Sequence, residues 1–251
     1  MPDRQGTSVT HKVLAILAAF SPGRATLTLS ELSRRASLSL PTTHRRVAEL
    51  VDWGALERTA DGRYRIGLRL WEVATLAPRG LGLRDVAMPF LQDLTKVAQR
   101  HVVHLAVREE LDVVFVERMS GHGAPPVYSR AGGRFGDFAT GVGLILLAFA
   151  PIEVQEAVLS SSLPTYTTRT ITEPRRLRSL LADIRKRGYS VSDRMVDDNI
   201  LSVGAPIHGP DGAVTAAISV AVAASSQSPS SLAPFVRTTA LGISRSLGYQ
   251  P

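Results

Sequence analysis

The chain has 251 residues, 44% apolar, 20% charged and 6% aromatic, which excludes fibrous and disordered classes and suits one very large domain or two ordinary ones. With no cysteine, a disulfide framework, a thiolate metal site and a cysteine nucleophile are excluded too. The net charge is +7, and residues 1–80 hold 12 Lys/Arg against 7 Asp/Glu, so most of the surplus lies in the first third, where it permits a polyanionic partner.

Lys12 followed by Val13 to Phe20 has the charged and apolar parts of a secretory signal. Val13, Ile16, Leu17 and Phe20 recur at helical spacing, however, with alanines on the other side, and this predicts an amphipathic globular helix. Ser21-Pro-Gly23 breaks it. A short helix follows over Ser30 to Ala36 with Ser30 as its cap, and after three residues a third helix starts with Ser39 as cap and Pro41 in the first turn. Val47, Leu50 and Val51 form its inward stripe, leaving Thr42, Thr43, Arg45, Arg46 and Glu49 off that stripe. Two helices joined by a tight turn, the second rich in hydroxyls and arginines, form a helix-turn-helix whose second helix enters the major groove. Hydroxyl groups and a helix N-terminus hold phosphate, and an arginine fork takes both acceptors of guanine. The reading residues are therefore Arg45 and Arg46, with Ser39, Thr42, Thr43 and His44 beside them, although helix arginines are also ordinary solvated residues. Gly54 ends the helix. Ala55 to Thr59 and Arg63 to Ile66 flank Asp61-Gly62 as a hairpin, a wing on which Arg58, Arg63 and Arg65 can contact backbone phosphates.

Residues 8–70 resemble the winged helix-turn-helix of the IclR family of bacterial transcription regulators. The marks are Val13-Leu-Ala-Ile-Leu17 with Phe20, Leu29-Ser-Glu-Leu32, Thr42 with Arg45, Leu50 with Gly54, and Tyr64-Arg-Ile-Gly-Leu68. Leu40 stands where a polar or basic residue is common, and Arg46 where an apolar one is usual.

Leu68 to Leu76 predict a short apolar helix ending near Pro78, and Pro78, Gly80 and Gly82 a domain junction. A second helix is expected from Leu83 to His101, with Val86, Phe90, Leu94 and Val97 on one face and Pro89 near its first turn. Val102 to Val107 and Val113 to Glu117 read as strands around the turn Glu109 to Asp112. Helices are expected over 144–149, 153–159 and 175–187, and strands over 200–207 and 214–222 around Pro210-Asp-Gly212. Ser225 to Ser231 reads as a solvated loop before a last helix. Strands with helices packed on their faces indicate an α+β domain.

This part resembles the IclR effector domain, a GAF-like sensor, through Thr140-Gly-Val-Gly143, Arg185-Lys-Arg-Gly-Tyr189, Gly204-Ala-Pro-Ile207, Pro210-Asp-Gly212, Ala216-Ala-Ile-Ser219 and Leu247-Gly248. The resemblance implies a winged helix-turn-helix over 1–66, a linker helix over 67–80 and an effector domain over 81–251. It also implies a pocket for a small organic or aromatic molecule at Thr140, Gly141, Gly143, Ser192, Ser202 and Ser219. Backbone N–H groups ahead of an apolar helix can attract a carboxylate, while a plain helix cap accounts for Thr140 to Gly143 better when the residues are taken alone. Leu144, Met195, Asn199 and Ala221 stand where the family has lysine, an acidic residue, glycine and sometimes a hydroxyl, so a less polar ligand is expected.

No catalytic or metal site is expected, and no cofactor. His101 and His104 straddle a predicted helix end and strand start, which does not make one converging face. Asp197-Asp198 is a solvated loop in preference to a paired-carboxylate site, and no serine elbow, HExxH or phosphate loop occurs. No run approaches the ~20 apolar residues of a membrane span. The expected protein is a cytoplasmic regulator that binds a double-stranded DNA operator as a homodimer or dimer of dimers and responds to a small-molecule effector. The alternatives are an architectural DNA-binding protein whose sensor half only mediates oligomerisation, and a hydrolase carrying an incidental winged domain.

Overall fold

The computed structural model describes residues 8–21, 23–77, 82–97, 101–127, 129–135 and 138–250. They fall into two compact units, 1–77 and 78–251. The linker helix groups with the first unit. Pro78 and Gly80, expected at the junction, lie outside the described residues.

In the first unit α1 (Val9–Ala18), α2 (Leu29–Arg35) and α3 (Leu40–Trp53) pack with a small antiparallel sheet of β1 (Thr26–Leu27), β3 (Tyr64–Ile66) and β2 (Leu56–Arg58), followed by α4 (Leu68–Ala74). Strand β1 has too few residues to show a period in the sequence. The cap of α2 is Thr28, not Ser30: its Oγ1 accepts from Glu31 N at 3.2 Å, while Glu31 Oε2 accepts from Thr28 N at 2.8 Å. This reciprocal pair satisfies two helix-end donors, and the bonds from Thr28, reinforced by Arg63, hold the Glu31 carboxyl below the usual range. Between α2 and α3 the chain turns through Ser37 at φ 54, with Leu38 N donating to Ser33 O at 3.0 Å and Ser33 Oγ to Leu38 O at 2.7 Å. Gly54 ends α3 at φ 86, as its position in the sequence predicts.

The second unit is built on an antiparallel six-stranded sheet in the order β6-β5-β4-β9-β8-β7. Its strands are β4 (His101–Glu109), β5 (Asp112–Ser120), β6 (Arg134–Phe135), β7 (Ser190–Asp193), β8 (Ile200–His208) and β9 (Val214–Ala223). On one face lie α5 (Leu83–Val97) and α9 (Pro229–Ser246); on the other lie α6 (Gly141–Ala148), α7 (Ile152–Leu159) and α8 (Pro174–Arg187). Val103, Leu105, Ile218, Val220 and Val203 point to the first face, Ala106 and Ala217 to the second. Burial on both sides removes the apolar-polar alternation, so the central strands read as continuous apolar runs.

Several boundaries differ from the expected ones. The helix expected to reach His101 is described to Val97, and His101 already opens β4. The buried face of α5 is Leu83, Ala87, Leu91 and Leu94, because these reach the sheet while Val86 and Phe90 are only partly covered. Pro89 lies inside α5, not in its first turn, and there it removes one backbone donor. Helix α6 starts three residues early because Thr140 caps it, accepting from Gly143 N at 3.0 Å. The serine-rich stretch ends earlier than expected, since Ser228 caps α9 and Pro229 begins it. The edge strands β6 and β7 were not foreseen; two and four residues carry little periodic signal.

Candidate DNA-reading surface and ligand cavity

Helix α3 turns Val47 and Leu50 inward against Ile16, Leu27, Leu32 and Leu56. That anchoring fixes which residues face outward. Ser39, His44 and Arg45 are exposed and Thr42 is half-buried. Arg45 makes no hydrogen bond or ion pair among the described residues, so its guanidinium fork is available to a base edge.

Two of the expected reading residues lie on the other side. Thr43 is fully buried and its Oγ1 donates to Ser39 O at 3.0 Å. Arg46 is only 8% exposed and its NH1 is committed to Glu49, 2.5 Å from Oε2. The correction follows from helix geometry: Thr43 and Arg46 sit four and one residues before the inward Val47, on the flank that meets the domain. Arg46, where an apolar residue is usual in the family, therefore fills a packing position with its stem and pairs its charge at the rim. Ser39 occupies the cap position without capping, its Oγ donating to Thr42 Oγ1 at 2.9 Å.

On the wing, Arg58 is exposed and makes no ion pair among the described residues. Arg63 is tied to Glu31 at 3.2 Å and to Thr26 O at 3.1 Å, fastening the wing to α2. Arg65 pairs across the hairpin with Glu57 at 2.7 Å. Of the three wing arginines, Arg58 is thus the one whose charge is uncommitted.

In the second unit a cavity of about 300 Å³ opens between the sheet and the start of α6, near the lower bound of ligand pockets and about twice the ~150 Å³ that holds a benzene ring. Thr140, Ser192, Ser202 and Ser219 line it, so four of the six expected ligand residues come together. Gly141 and Gly143 do not line it. A Cβ on Gly141 would clash with Ser202 Oγ, and one on Gly143 would stand 2.9 Å from Phe138 Cα; both glycines seat the helix. Ser192 Oγ donates to Ala139 O at 2.6 Å and Ser190 Oγ to Gly141 O at 2.7 Å, pinning the chain that enters α6 to edge strand β7.

The remaining wall is mostly apolar: Phe115, Phe135, Tyr166, Val142 and Ile200 among others. Phe135 and Tyr166 stack at 5.8 Å, and Phe115 packs on His104 at 5.2 Å. Among the described lining residues Asp197 is the only carboxylate and there is no lysine or arginine. Asp197 therefore belongs to the cavity wall and not to a purely solvated loop, while Asp198 is exposed. Of the four departures from the family pattern only Ala221 touches the cavity; Leu144 and Met195 are buried in the packing around α6 and Asn199 is exposed.

Sequence reasoning missed His104, because only strand register reveals its direction. It is 6% exposed and lies directly opposite Ser219 of β9. Burial first, and the charge of Arg118 second, push its pKa down to about 3. His101, three residues away on the same strand, turns to the opposite face, where its Nε2 lies 3.4 Å from Leu94 O. Among the described residues no group of three or more His, Cys, Asp or Glu is placed to hold a metal ion, and no helix is long and apolar enough to cross a membrane.

Two family models cover the chain: the IclR helix-turn-helix domain over residues 9–60, and the bacterial transcriptional regulator IclR C-terminal domain over residues 76–245. The HTH-type transcriptional regulator KipR of Bacillus subtilis is 30% identical over 99% of this chain and all of its own length. XynR of Escherichia coli is 27% identical over 95% of this chain and 96% of its own. Among solved structures, an IclR homolog from Microbacterium hydrocarbonoxydans complexed with 4-hydroxybenzoate superposes with a TM-score of 0.91 at 37% identity, covering 96% of this chain and 99% of that one. Thermotoga maritima IclR gives 0.79 at 29% identity over 96% and 98%. A capped helix-turn-helix with a short wing, a six-stranded antiparallel sheet layered between helices and matches along both units make this chain a member of the IclR family of bacterial transcriptional regulators.

Proposed function

We propose that the chain binds a DNA operator through Arg45 and its neighbours Ser39, Thr42 and His44 on α3, with Arg58 on a backbone phosphate, and that a small aromatic or other organic molecule in the α6 cavity sets its operator affinity. The carrying observation is the cavity, enclosed by aromatic and aliphatic side chains and edged by serine and threonine hydroxyls. The 4-hydroxybenzoate held by the Microbacterium homologue supports an aromatic ligand.

A single reading helix buries too little surface for tight specific binding, so the operator is read by a homodimer or a dimer of dimers with half-sites about one helical turn apart or a multiple of it. Helix α4 and the turn after it supply a surface for pairing: Leu68, Trp71 and Leu76 are 62%, 63% and 78% exposed, more apolar area than so short a segment leaves in water without a partner. A ligand that favours one arrangement of paired sensor domains changes the spacing of the reading helices, with coupling of about 1–3 kcal/mol. The reading competes with a sensor that only mediates oligomerisation and with an enzymatic role. Mapping the genomic sites bound by the full chain, then titrating the recovered duplex with and without small acids and neutral aromatics, tests it. Operator affinity that no such compound shifts refutes the sensor role; absence of sequence preference refutes the regulator itself.

A further inference from the structure

His104 lines the cavity from the middle of the sheet. Strand register places it in a row crossing the sheet beneath α6, from Arg118 on β5 through His104 on β4, Ser219 on β9 and Gly204 on β8 to Ser190 on β7. The hydroxyls of Ser190 and Ser192 are spent on the carbonyls of Gly141 and Ala139. His104 is placed differently: Nε2 lies 2.5 Å from Ser129 Oγ and Nδ1 lies 3.4 Å from Ser219 Oγ.

With its pKa at about 3 the ring is neutral at physiological pH. A neutral imidazole has one donor and one acceptor nitrogen, so one of these serines must donate to the ring and the other must accept from it. The accepting serine keeps its own O–H proton for another partner. The relay thus turns both hydrogen-bonding senses toward a cavity whose wall also carries the aromatic rings of Phe115, Phe135 and Tyr166, the hydroxyls of Thr140 and Ser202, and Asp197.

We infer that His104, with Ser129 and Ser219, reads a hydroxyl group on the aromatic ligand, making the ligand class a phenolic compound. The inference rests on the sensor reading given above. A hydroxyl both donates and accepts, so it pairs with the relay in either sense. A bare ring offers the relay's spare proton no partner, which is costly where that proton sits on Ser219, whose side chain is buried. A carboxylate accepts only, meets no lysine or arginine among the described lining residues, and shares the cavity with the carboxylate of Asp197.

The test is calorimetric titration of the full chain with four compounds in two pairs: 4-hydroxybenzamide and benzamide, 4-hydroxybenzoate and benzoate. In the unaltered protein the hydroxyl should tighten binding by about tenfold or more in both pairs, the scale of a buried polar group gaining its partner. In His104→Phe that ratio should fall to about one, and in His104→Asn, which keeps a donor and an acceptor, part of it should return. A merely structural histidine would weaken all four compounds alike and leave the ratio standing, which overturns the inference. Where His104→Phe does not fold, Ser129→Ala decides, since Ser129 lies outside the strands; an unchanged ratio there overturns it too. Equal affinity with and without the hydroxyl in the unaltered protein sinks the phenolic class and leaves the sensor reading intact. Failure of all four compounds to bind removes the phenolic class together with the aromatic form of that reading.

Discussion

Replacing Gly204 by alanine probes how α6 is seated over the cavity. The added Cβ would stand 2.5 Å from Gly141 O, 2.8 Å from Gly141 C and 2.7 Å from Ser190 Oγ. Two of these are backbone atoms at the first residue of α6, which cannot rotate away; the helix start must lift from the sheet or β8 must bow. Either motion strains the 2.7 Å bond from Ser190 Oγ to Gly141 O. Overpacking costs about 1–3 kcal/mol and a lost buried hydrogen bond about 1 more, so the second unit should lose about 2–4 kcal/mol. At a urea slope of about 2 kcal/mol/M its midpoint, followed by far-ultraviolet circular dichroism, should fall by about 1–2 M. Trp53 and Trp71, the protein's two tryptophans, both lie in the first unit, so their fluorescence transition should move far less. Ligand binding should weaken with the lifted helix, because Thr140 and Ser202 wall the cavity on either side of the clash. A variant whose dichroism midpoint stays within about 0.2 M of the parent would show that α6 slides freely, and the close approach would then not fix the cavity's shape.

Arg45→Ala should cost about 1–3 kcal/mol on the operator and little on scrambled duplex, by fluorescence anisotropy, whereas Arg46→Met should leave sequence choice unchanged; the reverse order would put the wrong face of α3 in the groove. Arg58→Ala should weaken all sequences similarly and lower the salt slope by about 1, and a slope that stays the same would take the wing off the phosphates. The depressed pKa of His104 means that the unfolded chain takes up a proton below about pH 6.5 that the folded chain refuses until about pH 3, so stability present above that window is lost as pH falls through it. Urea midpoints between pH 7.5 and 5 should show this decline, at most about 1.4 kcal/mol per pH unit, and His104→Asn should flatten it; identical slopes would show that the ring titrates normally. Trp71→Glu with Leu76→Glu should raise the dimer dissociation constant at least about tenfold in sedimentation equilibrium, and an unchanged constant would move the pairing surface away from α4.

The first unit was largely legible because its signals are local. Helical spacing of Val13, Ile16, Leu17 and Phe20, the arrest at Gly54 and the Asp61-Gly62 hairpin each depend on a few neighbouring residues, and each appears where it was expected. The choice of Ser30 over Thr28 as cap went astray for a related reason: both are hydroxyl residues, and Glu31 distinguishes them only by its reach back to Thr28. Arg46 shows the limit of the stripe argument, since a long side chain can run along the core flank and pair its charge at the edge, which residue type alone does not reveal.

In the second unit the sequence by itself determined the longer strands and helices and the turn at Pro210-Asp-Gly212, because length and periodicity are properties of contiguous residues, whereas the four hydroxyls of the cavity came from the family resemblance. Only the tertiary structure decided that Gly141 and Gly143 serve helix packing, that Asp197 joins the wall and that His104 meets Ser219 and Ser129, residues 115 and 25 positions away along the chain. A strand residue's neighbours come from register across the sheet, and register is set by the whole set of strands packing on both faces at once.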